Sequence, residues 1–474
     1  MNKKIIFLAL IFVFMASSGF GCAGGNQAAQ QQMTPVTINY WRVTDGEDAF
    51  REVIAAYNKV HPNVTIKYRK LRYEEFETEL VNALAEDRGP DMFSVNAADL
   101  KKYIPKIAPM PDQITLAYPQ EQGTLKKEIV PVLRTMKSVS LDNIKNSFLD
   151  MVYQDVVFTY NNPQTKKDEL RVYGLPLAMD TMATYYNKDL LNNANIGDLT
   201  HGEENSRLYW NKQFQKDVKK MTKQGAQGEI LQSGVALGGG NNIERSTDVM
   251  TLLMMQNGAQ IIDNNNGRAV FADFVPGKDY NPGMSAVKFY TDFANPSTDV
   301  YTWNAKLDNS LQMFMDGRLA VMFGYSFYIP TIKAQAPKLN YGILPMPQIE
   351  GSDTVQNIAD YWVETVSKKS KHQDIAWDFI QFMTYQSKIA KLYLDSAHKL
   401  TALRSLVEGE QNSDLSVFAK QLLSAKTWYR GYDYPTASKA FRDMAEAIVV
   451  NPDQLEHEVK VCQEKVRQTL NVAQ

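Results

Sequence analysis

The order of elements between residues 36 and 95 constrains the fold most. VTINYW (36–41) alternates apolar and polar residues and is rich in β-branched side chains, which predicts a strand. Thr44 and Glu47 have capping-box spacing. Phe50, Val53, Ile54 and Tyr57 then recur at helical spacing, so this helix is expected to have one apolar face. His61-Pro62-Asn63 ends it, and VTIKYRKL returns as a strand. A second helix carries Phe76, Leu80, Ala83 and Leu84 on one side, stops at Gly89-Pro90, and leads into a short strand over 91–95. A β-α-β-α-β order implies a mostly parallel sheet covered by helices.

The N-terminus fixes the compartment. Lys3 and Lys4 precede an apolar run from Ile5 to Met15, followed by small residues and Gly21-Cys22, which reads as a secretory signal over residues 1–21. The run falls short of the roughly 20 apolar residues a permanent span needs. Residues 23–34, AGGNQAAQQQMT, lack charge and periodicity and are expected to form a flexible tether reaching about 20 Å. No later segment combines transmembrane length with absence of charge.

Composition excludes several functions. The formal net charge is −2 and neither sign forms a long block, so no nucleic-acid partner is expected. There are two cysteines, and Cys462 falls on the apolar stripe Leu455, Val459, Cys462, Val466, Leu470. It is read as a buried hydrophobe. The histidines at 61, 201, 372, 398 and 457 never pair at zinc-binding spacing, so no metal or other cofactor is expected. Gly238-Gly239-Gly240 lacks the Lys-Ser/Thr of a phosphate loop. In DNNNG (263–267) the glycine stands one place early for a calcium loop, and a hairpin turn is the better reading. No G-x-S-x-G elbow occurs, and no catalytic residue is nominated.

Downstream, 206–300 reads as mainly helical, strands return at LAVMFGY (319–325) and YGILPMP (341–347), and helices dominate after Asp374. Residues 101–150 and 390–440 give no clear order. Several segments, in sequence, resemble one family: HPNVTIKY, RGPDMF, GLPLAMDTMATYYNKDLL, MMQNGAQIIDNNNGRAVF, FMDGRLAVMFGYSFYI and WVETVSKKSKHQDIAWDFIQFM. The family is the extracellular sugar-binding receptors of ATP-driven importers, the maltodextrin-receptor-like group of family 1 solute-binding proteins. Gly21-Cys22 similarly resembles a bacterial lipobox, which would make Cys22 a lipidated N-terminus.

The resemblance implies an α/β, two-lobe periplasmic-binding-protein-like fold of type II, with a ligand cleft between lobes. The expected division is signal peptide 1–21, lipidated Cys22 and tether 22–34, first lobe 35–178 and 319–372, second lobe 179–318 and 373–474. Chain crossings are expected at Gly174-Leu175-Pro176 and at Gly317–Gly324. The implied function is capture of a sugar or oligosaccharide by hinge closure and delivery to a membrane permease, as a monomer, with no bond broken. The implied location is the outer face of the cytoplasmic membrane, through lipid on Cys22, or the periplasm.

Open α/β sheets bind ligands beyond the carboxyl ends of their strands. Trp41 and Asn96 follow two such strands. Asp180 and Tyr185 lie at the first expected crossing, Tyr325 at the second, and Tyr361 and Trp362 precede the terminal helices. In the maltodextrin receptor an acidic residue at the position of Asp180 meets sugar hydroxyls. Aromatic rings cover the apolar faces of sugars, and carboxylates and amides meet their hydroxyls; with 24 Tyr and 6 Trp the chain has rings to spare. Trp303 and the cluster Trp428, Tyr429, Tyr432, Tyr434 are further stacking candidates. Plain alternatives stand beside them: core packing for Trp41, lobe packing for Tyr185, a turn for Asp180, a helix cap for Asn96, and a helix-end aromatic cluster for Trp303 and the rings at 428–434. Trp210 and Trp377 are read as core. Arg42 and Arg245 leave open a receptor of this fold for a peptide, polyamine or anion. A secreted glycan-active enzyme and a surface adhesin are more distant alternatives.

Overall fold

The computed structural model describes residues 23–124, 127–203, 207–263, 267–410 and 414–471. The signal segment and Cys22 lie outside the described residues, as do Asn264–Asn266 of the expected hairpin turn. The flanking pairs Ile262–Asp263 and Arg268–Ala269 do form an antiparallel ladder.

Two sheets organise the chain. The first has the order Val64–Leu71, Val36–Val43, Met92–Asn96, Trp362–Val366, Leu175–Pro176. Its first three strands are parallel, as the β-α-β-α-β order predicts; Trp362–Val366 runs opposite to Met92–Asn96, and Leu175–Pro176 opposite to Trp362–Val366. The helices Arg51–Val60 and Tyr73–Ala85 cover it with the apolar faces expected of them, burying Val53, Tyr57, Phe76, Leu80 and Leu84. Thr44 is not a cap. It adopts a left-handed backbone (φ 74°), and the helical turn starts after Gly46.

The second sheet centres on the ten-residue strand Ala178–Asn187, flanked by Leu319–Tyr325 and Asn357–Asp360. Tyr341–Leu344 and Leu400–Thr401 also pair with it. Its covering helix Ser246–Gln256 is buried along its whole length, because helices Pro282–Asp292 and Tyr434–Val450 pack against it in turn.

The chain passes between sheets at Leu177, between Pro176 and Ala178. Gly174 is needed there, since a Cβ would lie 2.9 Å from Val363 Cγ2. It passes back at Tyr361, between Asp360 in the second sheet and Trp362 in the first. A third passage follows helix Ser387–Ala397, which packs on Arg51–Val60, and enters the second sheet at Leu400. The expected crossing at Gly317–Gly324 is therefore corrected. LAVMFGY is fully buried and pairs on both sides within the second sheet. The expected lobe boundaries shift with it: 319–360 packs with the second sheet, and helices Gln373–Tyr385 and Ser387–Ala397 pack with the first.

Residues 23–34 also differ from expectation. Ala23–Gln32 is a helix lying against the hairpin Gln113–Gln122/Glu128–Lys137. Ala and Gln are good helix formers, and a ten-residue helix draws its stability from what it packs on. Ala29 is 1% exposed, Gln32 donates to Thr115 O, and Asn63 donates to Gln32 O. Ala29→Asp would bury a charge in this contact. Amide exchange over residues 27–34 is expected to rise roughly tenfold or more, with the hairpin unchanged. Unaltered exchange in a hydrogen-exchange measurement would refute the docking.

Candidate ligand site between the lobes

Carboxyl ends of strands from both sheets converge where the lobes meet. From the first comes Thr44-Asp45; from the second comes Ser326-Phe327. Between them lies a cavity of about 1230 Å³. Thr44, Asp45 and Leu394 line it from the first lobe, and Ser326, Phe327 and Tyr341 from the second. That volume exceeds the few hundred Å³ of an ordinary small-molecule pocket.

Each wall has its own support. Asp45 is held by Arg42 (2.7 Å) and Tyr393 (2.8 Å). Burial raises its pKa, but Arg42 and Lys399 outweigh this and hold the carboxyl below its ordinary value. Arg42 in turn pairs with the buried Glu364 (3.1 Å) and lies over the rings of Phe50 and Tyr393. On the opposite wall Asp180 accepts hydrogen bonds from Ser326 Oγ (2.7 Å), Ser326 N (3.2 Å) and Thr181 N (2.8 Å). Burial pushes its pKa up to about 6 even against those bonds. Asp180 therefore stands directly behind the cavity wall. Phe327 stacks on Tyr325 with centroids 5.6 Å apart and planes 13° from parallel, and 36% of Phe327 remains exposed.

A second, smaller chamber of about 20 Å³ holds room for one water. It gathers Asn96, Tyr325 and Tyr361 with Asp248, Asp360, Trp428, Tyr429 and Tyr434. Asn96 donates to Asp360 Oδ1 (2.7 Å) and also caps the following turn by accepting from Ala98 N. The Tyr361 hydroxyl donates to Asp155 Oδ2 (2.7 Å), which also takes Thr427 Oγ1 and pairs with Arg430. Since Asp155 belongs to helix Asp150–Val156, this cluster ties the first lobe to the segment after Ala425–Lys426.

The remaining sequence candidates lie elsewhere. Trp41 is half-buried, with the Arg69 guanidinium 4.6 Å over its ring. Trp362 packs edge-on to Tyr73 and Phe76. Tyr185 is fully buried and its hydroxyl donates to Tyr325 O (2.7 Å), making it a strut under the second wall rather than a lining residue. Trp303 is fully buried with its indole N–H on Asn242. Neither lines either cavity, and both are corrected to core. Tyr432 carries Lys101 4.6 Å over its ring, a contact joining the lobes. Sequence reasoning missed Asp45, Phe327 and Asp360. Only Phe327 had a readable signal, as a ring two residues beyond a strand end.

Among the described residues no group of three metal-ligating side chains occurs, and no helix is long and apolar enough to cross a membrane. The model of the bacterial extracellular solute-binding proteins matches residues 41–385. The chain belongs to that family. A binding protein of Brucella abortus (strain 2308) is 22% identical over 344 residues, covering 72% of this chain and 70% of that one. Maltodextrin-binding protein MdxE of Bacillus subtilis (strain 168) is 25% identical over 264 residues, 54% of this chain and 56% of that one. Among solved structures, a cyclo/maltodextrin-binding protein complexed with maltotetraose superposes with TM-score 0.65 at 15% identity, covering 93% and 99% of the two chains. The Listeria monocytogenes ABC substrate-binding protein in complex with cycloalternan gives TM-score 0.64 at 16% identity, covering 92% and 99%. At that identity the likeness shows the two-lobe type II fold. The family and these neighbours are binding proteins.

Proposed function

We propose that this solute-binding protein is the extracytoplasmic sugar receptor of an ATP-driven importer. It takes an oligosaccharide into the 1230 Å³ cavity, closes about the three passages between lobes, and hands the ligand to a membrane permease. Leu177, Tyr361 and the segment around His398 divide the lobes. The observation that carries the reading is Phe327: a partly exposed ring lining the cavity, stacked on Tyr325, beside hydroxyl and carboxylate groups at Ser326 and Asp45. That pairing suits a ligand with apolar faces and a hydroxyl rim. Solved neighbours with maltotetraose, cycloalternan and mannotriose bound support the ligand class. The signal segment and Cys22 support an anchor on the outer face of the cytoplasmic membrane, or a place in the periplasm.

A thermal-shift screen of the mature chain against maltotetraose, mannotriose and shorter sugars tests the reading. A ligand at a hundred times its Kd stabilises by about 2.7 kcal/mol. Phe327→Ala is expected to weaken the sugar that binds best by about 2 kcal/mol or more, roughly thirtyfold in Kd by calorimetry. A shift with a polyamine or an anion and none with any sugar would replace the sugar by that class.

A further inference from the structure

The helix Ala23–Gln32 fixes where the mature chain enters the fold. Its last residue, Gln32, donates to Thr115 O near the base of the hairpin, where Thr115 pairs with Thr135. Successive residues of a strand point to opposite faces. Ile114, Leu116 and Tyr118 belong to the first-lobe core. Thr115, Ala117 and Pro119, with Leu133 and Pro131 across from them, therefore face outward. Ala117 is nevertheless buried, and Pro119, Pro131 and Leu133 are half-buried, whereas Gln113, Thr135 and Lys137 at the base lie open. The cover is the helix, so it runs from Thr115 toward the tip of the hairpin. Ten helical residues span about 15 Å, the length of roughly four to five strand residues. The chain thus enters the helix close to the last pairs, Glu121 with Ile129 and Gln122 with Glu128. Cys22 is the residue before it in sequence. Ile129 lies on the same outward face and is 72% exposed, and the exposed Lys127 beside it pairs with Glu121 (3.0 Å). All this is at the end of the first lobe opposite the cavity. Strand Val36–Val43 starts at Asn63, which also donates to Gln32 O, and leads to Thr44-Asp45 on the cavity wall. Its eight residues set the two ends roughly 25 Å apart.

We propose that this end of the hairpin is a membrane foot. With lipid on Cys22, the phospholipid surface seats against Ile129 and Lys127, and the cavity is held on the far side of the first lobe, open to the medium. A docked helix in place of a slack tether is what gives the protein one orientation on the bilayer. A single isoleucine is too little to hold a protein on a membrane, so the contact follows anchorage and does not cause it. The foot rests on the anchor proposed above; the course of the helix does not.

Coupling Cys22 of the mature chain to a maleimide lipid supplies the anchor whatever the cell does, since the other thiol, Cys462, is buried. The vesicles are phosphatidylcholine with phosphatidylglycerol, with and without lipids brominated on their acyl chains, which quench nearby tryptophan. Ile129→Trp reports the foot, and Phe274→Trp, at a second-lobe residue that is 75% exposed, is the control. Each is read as its difference from the coupled native chain. Groups at the interface reach about 5–10 Å into the headgroup boundary, so brominated lipid should remove roughly half of the added Ile129→Trp emission and leave Phe274→Trp unchanged. Equal quenching at both sites, or none at Ile129→Trp, overturns the foot. Adding Ala29→Asp, which releases the helix, should bring the two sites to the same level. Quenching that stays confined to Ile129→Trp in that variant overturns the role of the helix. Mass spectrometry of the protein from native membranes tests the anchor separately: an unmodified Cys22 rejects the anchor, however the coupled chain behaves.

Discussion

Glu364→Ala is expected to lower the stability of the protein by about 3–5 kcal/mol, the cost of leaving a buried charge without its partner. Glu364 is fully buried in strand Trp362–Val366. It accepts from the Tyr40 hydroxyl (2.6 Å) and lies 3.1 Å from Arg42 Nε, an ion pair whose angle falls short of a hydrogen bond. Arg42 is 5% exposed, so the variant strands a guanidinium where water does not reach freely. Asp45 still pairs with it (2.7 Å), which sets the lower end of the range. Burial raises the Glu364 pKa and Arg42 opposes this, so removing Arg42 shifts Glu364 toward its neutral form, whereas removing Glu364 leaves a guanidinium that stays charged and draws water in. The asymmetry is the decisive test. Arg42→Met with Glu364→Leu removes both charges and should cost less than the single change, because an apolar pair of similar volume avoids their desolvation, and Asp45 keeps Tyr393 and Lys399 as partners. Denaturant unfolding of the three variants measures this. A single-variant loss of less than about 1 kcal/mol, or a double variant worse than the single, would show that the pair carries no buried-charge penalty. The double variant should also weaken ligand binding while sparing stability, since Arg42 is what fixes Asp45 at the cavity edge.

What the sequence shows of this architecture depends on whether a local pattern carries the information. Strands such as VTINYW and LAVMFGY are readable because alternation and β-branching are local. Their sheet membership is not, because a run buried on both faces has no period that identifies its neighbours; Leu319–Tyr325 was assigned to the first lobe for that reason. The tether failed similarly: AGGNQAAQQQ shows neither charge nor stripe, and the contact that makes it helical is one alanine against a hairpin far along the chain. Asn96, Tyr325 and Tyr361, nominated from a strand end, an expected crossing and the approach to the terminal helices, come together around the small chamber. A place at a strand end cannot say which way a ring turns, so Trp41 ended under Arg69. Arg245 was visible only as a cation, since nothing local announces its left-handed backbone or the Asp360 carboxylate brought to it by the second passage between lobes.

Asp180 makes the stability of the protein depend on pH, and Asp180→Asn is expected to remove that part of the dependence. Burial raises the Asp180 pKa from its ordinary 3.8 to about 6, with the Ser326 bonds pulling the other way. In the folded chain the group therefore holds its proton over a range where the unfolded chain has lost it. Between about pH 4 and pH 6 the native state binds more protons, so stability falls as pH rises. The contribution is complete below the unfolded pKa and is gone once pH has risen through the folded one. A raise of about two units corresponds to roughly 3 kcal/mol between these limits. Glu410, pushed up by burial to about 7, adds a fall in the same direction at slightly higher pH. Asp45, held low by Arg42 against its burial, acts oppositely: it stabilises above its ordinary pKa and loses that as pH falls. Because these overlap, the native profile alone does not isolate Asp180, but its difference from Asp180→Asn does. The amide keeps the shape and an acceptor for Ser326 N while removing the titration. Unfolding free energies at pH 4.5 and 7.5 should differ between the two proteins by an amount that grows toward low pH, in favour of the native carboxyl. A pH-independent difference would mean that Asp180 titrates near its ordinary value, and that Ser326 is held at the cavity wall by neutral hydrogen bonding alone.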